Sequence, residues 1–72
     1  MEQIRTVICY PVDFKLDSKE ILLNQIELTA LMNSREMGSE GKYFKIERII
    51  FEDIPHENEI GEIALTVLLE NL

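Results

Sequence analysis

The chain has 72 residues, with fourteen Asp and Glu against seven Lys and Arg and a formal net charge of −7. That leaves room for one domain, residues 1–72, with a small core, and it opposes nonspecific binding to nucleic-acid phosphates and anionic lipid heads. A single cysteine and a single histidine exclude an internal disulfide and a Cys/His zinc site, so oligomerisation is the expected way to make up the core.

Residues Ile4 to Leu16 alternate with a period of two. Ile4, Thr6, Ile8, Tyr10, Val12, Phe14 and Leu16 fall on one face and Arg5, Val7, Cys9, Pro11, Asp13 and Lys15 on the other. This predicts a strand with one buried face. Pro11 cannot donate to a ladder, so it marks a sheet edge or a kink.

From Asp17 to Met37 the residues predict one long helix. Asp17 and Glu20 have the spacing of a capping box, the interior lacks Gly and Pro, and Gly38 stands where a left-handed cap would end it. Its apolar residues form two stripes: Leu22, Leu23, Ile26, Ala30 and Met37 on one side, and Ile21, Leu28 and Met32 nearly opposite. A second chain would cover the second stripe, or a curled sheet or the chain termini would.

Gly38 to Gly41 reads as a flexible connection. It fails as a phosphate-binding loop, because Glu36 and Tyr43 occupy positions that need Gly and Ser or Thr, and because the loop leaves a helix instead of entering one. Lys42 to Ile54 follows as a strand, with Phe44, Ile46 and Ile50 on one face, Tyr43, Ile49 and Phe51 on the other, and a slip near Ile49-Ile50. Pro55 to Gly61 reads as a polar loop. Glu62 to Glu70 alternates as a last strand, with Ile63, Leu65, Val67 and Leu69 on one face; a helix from Glu57 is the competing reading.

The expected fold is therefore α+β: a single β-α-β-β domain, a three-stranded sheet with one long helix packed on one face. The last two strands pair antiparallel, and the first lies parallel to the second through the helical crossover. Val7, Cys9 and the off-face residues of the second strand leave the other sheet face more apolar than a solvated one.

Glu52, Asp53, Glu57, Glu59 and Glu62 form the strongest local bias, and no Lys or Arg follows Arg48. Pro55 and His56 break the calcium-loop pattern, so a carboxylate-rich contact surface for a basic partner is the better reading than a metal site. His56 beside Glu57 lacks a specified nucleophile or further ligands, and Cys9 falls inside an apolar strand where thiols are usually inert packing residues. No cofactor is implied and no enzyme is expected. Lys42, Lys45 and Arg48 stand near Tyr43 and Phe44 as in single-strand binders, but the overall acidity makes nucleic acid an unlikely partner.

No apolar run is long enough to span a bilayer, and Glu2 and Arg5 bracket too short a stretch for a signal peptide, so the expected location is the cytoplasm with no membrane. The reading is a small acidic interaction or regulatory protein, of a kind often encoded by phages or mobile elements. It would act by binding a partner's surface as a homodimer, through Ile21, Leu28 and Met32 and the acidic residues. The alternative is a small-ligand binder with a pocket formed between two chains and walled by Tyr10, Tyr43 and Phe51.

Overall fold

A computed structural model describes the backbone of residues 3–56 and 59–72, and the side chains of these residues except 54–62. The elements are β1 (Ile4–Cys9), β2 (Ser18–Leu23), α1 (Gln25–Met32), β3 (Glu36–Ser39), β4 (Lys42–His56) and β5 (Glu59–Asn71). The strands form one five-stranded sheet in the order β2-β1-β5-β4-β3. Among the described residues only β1 and β5 run parallel, with Thr6 opposite Leu65 and Ile8 opposite Val67.

The expected α+β fold with three strands and one long helix is overturned: the protein is mostly β, a curled half-barrel with one short helix. The segment read as a helix from Asp17 to Met37 divides into β2, α1 and β3. Ser18–Leu23 pairs antiparallel along all of β1, with Ile21 opposite Thr6 and Leu23 opposite Ile4. Those ladder bonds and the burial of Leu23 outweigh helix propensities of only tenths of a kcal/mol per residue.

The true helix start lies seven residues later, at a second box of the same spacing. Asn24 Oδ1 accepts from the Glu27 backbone N–H at 2.8 Å, and Glu27 Oε1 accepts from the Asn24 N–H at 2.9 Å. Asn33, not Gly38, caps the other end. Asn24→Ala should cost about 1 kcal/mol, read as a lower urea midpoint with an unchanged slope.

Two further expectations are corrected. The first strand lies parallel to the last strand, not to the second of the predicted three, and β1 is therefore interior, ending at Cys9 before Pro11 has to donate. The polar loop over Pro55 to Gly61 is largely strand: β4 runs to His56 and β5 starts at Glu59, with a register shift between Ile54 and His56 at the residue that lacks an N–H. The competing helix from Glu57 is likewise excluded by β5.

The slip in β4 is a bulge at Glu47, between Ile46 and Arg48. It returns Ile49 and Phe51 to the face of Phe44 and Ile46, where Ile49 stands opposite Val67 and Phe51 opposite Leu65. The inner face thus collects Thr6 and Ile8 from β1, Tyr10 just past its end, Leu65, Val67 and Leu69 from β5, and Phe44 from β4, all buried. Phe14, Ile21, Leu31, Met37, Ile46 and Ile49 pack partly buried around them.

Candidate functional site

The best-organised end of the sheet is where its two edges approach. The β1–β2 loop folds back, with the Tyr10 N–H donating to the Asp17 carbonyl at 3.0 Å, and lays Phe14 on Tyr10 and Phe44 at centroid distances of 4.9 and 5.0 Å. Tyr10 reaches across the concave face, its hydroxyl 2.7 Å from Ser39 Oγ on β3. Lys42 Nζ lies 5.4 Å from the Phe44 centroid and donates to Asn71 Oδ1 at 3.1 Å, while Asn71 Nδ2 donates to Asp13. The Tyr10–Ser39 and Asp13–Asn71 bonds tie the β1–β2 loop to β3 and to the end of β5. Tyr10→Phe should therefore lower stability by about 1 kcal/mol, measured by urea denaturation, and a change below a few tenths would mean that the hydroxyl does not brace the curl.

The same two edges carry an exposed ion pair, Lys19 Nζ to Glu40 Oε2 at 2.7 Å. The hydrogen bond from Lys19, then its charge, holds the Glu40 carboxyl below its ordinary value, and the same contacts raise Lys19 above its own. The Glu40 contribution is thus present above the ordinary carboxyl range and lost as pH falls through the lowered value. The Lys19 contribution is present below the ordinary lysine range and lost as pH rises through the raised value. Lys19→Met should leave stability near neutral pH only slightly changed, as water screens the pair. A stability–pH profile should show the mutant's acid and alkaline limbs shallower than the wild type's, and superimposable limbs would refute the linkage.

Helix α1 buries none of its residues. Ile26 is 80% exposed and Met32 56%, with Leu22 of β2 at 55%; Leu28 and Leu31 are half-buried. Ile21, expected on a helical stripe with Leu28 and Met32, is on β2 and packs against the core, so the three residues do not share one helix face.

The other end of the sheet is a two-stranded arm. β1 pairs with β5 from Ala64 to Leu68, while the β4–β5 ladder continues out to His56 opposite Glu59. Glu52 and Asp53 are exposed on the arm's β4 strand, and Glu52 Oε1 accepts from Thr66 Oγ1 at 3.1 Å. Glu59 and Glu62 lie on β5, but their side chains, and that of His56, fall outside the described residues, as does Glu57 altogether. Among the described residues no group of three or more His, Cys, Asp and Glu is placed to hold a metal ion, and no helix is long and apolar enough to cross a membrane.

No protein-family model, curated protein or solved structure matches this chain.

The three aromatic residues proposed as pocket walls are dispersed. Tyr10 is buried, Tyr43 is exposed beside a shallow cleft at the β3–β4 turn, and Phe51 is exposed toward the arm. The cleft runs from Gly38 to Tyr43 and has a volume near 330 Å³.

The exposed pair Phe51 and Ile63, on one face at adjoining rungs, went unread. Correct phasing of the bulge at Glu47 would have placed them together. Cys9 is half-buried on the outer face of β1.

Proposed function

We propose that the chain is a small acidic interaction protein that works as a homodimer and acts by occupying a partner's surface. The observation that carries this reading is the apolar surface left outside the core: a helix with no buried residue, carrying exposed Ile26 and Met32 and preceded by exposed Leu22. Scattered apolar residues are ordinary on a protein surface, but α1 covers only Leu28 and Leu31, and those by half, while Ile26 and Met32 stay open, which supports burial in an assembly. The acidic arm, with Glu52 and Asp53 exposed on β4, supplies charge for a basic partner surface and speeds encounter with it.

The test is the solution mass by light scattering on a sizing column, across a concentration series. A dimer that dissociates on dilution is the expected result, and a monomer at every concentration removes the homodimer. For the partner, Asp53→Lys, on the opposite face of the arm from Glu52, should slow association and weaken its salt dependence.

A further inference from the structure

The core occupies the inner face of the curled sheet, so the outer face has no element packed over it among the described residues. By the ladder registers, three rungs cross it. Arg5, Ala64 and Glu52 stand side by side on the first, Val7, Thr66 and Ile50 on the second, and Cys9, Leu68 and Arg48 on the third. Its centre is small and apolar, with Ala64 buried and Val7, Cys9, Ile50, Thr66 and Leu68 half-buried. Charged side chains flank it, of one sign on β1 and the other on β4 at the Arg5–Glu52 rung.

We propose that this outer face is a two-fold interface between copies of the chain, with the axis running along β5. Rotation about that line lays β1 of one copy over β4 of the other at the same rung. Arg5 then meets the second copy's Glu52, Val7 meets its Ile50, and Ala64, Thr66 and Leu68 pack on their own counterparts. Two twisted sheets pack in this way with their strands within about 30°. Because the face is convex across the strands, the gap is narrowest at β5, where the side chains are short, and wider over β1 and β4, where Arg5 and Glu52 are long enough to bridge it.

Both charged side chains are ordered before association, Arg5 by its Nε donating to Glu20 at 2.9 Å and Glu52 by Thr66; Arg5 would share its guanidinium between Glu20 and the second copy's Glu52. Glu70, which would approach its own symmetry mate at the end of the patch, keeps Lys45 at 3.4 Å as its cation.

The area fits a weak, reversible dimer. Three strands about 4.8 Å apart and about six residues of strand length give roughly 290 Å² per copy in flat projection, or roughly 570 Å² for the pair, in the range of transient contacts.

This inference rests on the homodimer reading, and sedimentation equilibrium of the full chain separates the two. Wild type should show a concentration-dependent dimer. Thr66→Arg, on the axis, should be monomeric at the same concentrations with an unchanged circular-dichroism spectrum, since its guanidinium can lie against Glu52 within the chain. Arg5→Glu should weaken the dimer about tenfold, a difference of about 1.4 kcal/mol, and Arg5→Glu with Glu52→Arg should restore it.

A wild-type monomer throughout overturns both readings. A dimer indifferent to Thr66→Arg, with no restoration in the double variant, overturns this interface and leaves the homodimer standing. Should Thr66→Arg fail to fold, Thr66→Cys in a Cys9→Ser background decides: a short bismaleimide should join two chains at position 66 and not at Lys15→Cys, and equal or absent cross-linking at 66 overturns the proposal.

Discussion

Phe44→Ala should leave a large fraction of the protein unfolded at room temperature. Phe44 is fully buried, and its ring is the meeting point of Tyr10 at 5.6 Å and Phe14 at 5.0 Å. Truncating a buried Phe costs about 3–5 kcal/mol, through lost transfer energy and the cavity left behind. A 72-residue chain has about 4–11 kcal/mol in all, so one side chain removes about a quarter or more of the total.

The cavity cannot easily refill, because Tyr10 is held by Ser39 and Phe14 by a loop tied down at Asp17. The substitution also strips the face over which Lys42 lies. Urea denaturation followed by far-ultraviolet circular dichroism gives the loss directly, and a change below 1 kcal/mol would show that the aromatic cluster is not the packing centre. Phe14→Ala, at a half-buried position, should cost less.

Gly41→Val should be the next most damaging change, at about 2 kcal/mol. Glu40 and Gly41 both have positive φ, 54° and 79°, with Ser39 opposite Lys42. That is a two-residue hairpin of the primed type, which matches the twist of its strands and requires left-handed backbone at both central positions. A side chain there costs roughly 1–2 kcal/mol, and a β-branched one more.

Space is not the obstacle, since a Cβ on Gly41 meets nothing within 4 Å; the cost is conformational. It would spread, because the turn sets β3 on β4 and thereby Ser39 beneath Tyr10 and Glu40 beside Lys19. A thermal melt should show a fall of roughly 8–16 °C for that loss at this chain length. Gly41→Asn, which tolerates the left-handed region, should recover most of it. An unchanged melting temperature for Gly41→Val would mean that the turn can take another form.

Alternation in Ile4, Thr6, Ile8 and Tyr10, and in Leu65, Val67 and Leu69, was enough to place those residues on the inner face, because a strand's period of two assigns burial from local order alone. The same rule misplaced Ile49 and Phe51, since one bulged residue, Glu47, inverts every later position. The segment from Asp17 to Met32 holds two capping-box spacings, Asp17 to Glu20 and Asn24 to Glu27. The contradictory apolar stripes of a single long helix were the available sign that its first turn and a half was extended. Lys19, Ile21 and Leu23 do alternate, but three positions of alternation amid good helix formers are a weak signal.

The candidate surfaces were partly legible. Val7 and Cys9 were readable as a second apolar face, and Glu52 and Asp53 as acidic contact residues. Bringing Arg5, Ala64 and Glu52 onto one rung required the register of two ladders.

By itself the sequence determined the acidity, the inward faces of the first strand as far as Tyr10 and of the last from Leu65, and the antiparallel pairing of the final two; Val12, Leu16 and Ile63, expected on those faces, are exposed, and the first strand ends at Cys9 instead of Leu16. Only the tertiary structure decided that the first strand lies between β2 and β5, parallel to the latter, and that Ser18–Leu23 is a strand. The physical reason is that backbone donors and acceptors are the same on every strand. Periodicity therefore states which face is buried, while the choice of neighbour is made by the joint packing of Ile8, Val67 and Phe44 across residues distant in the chain.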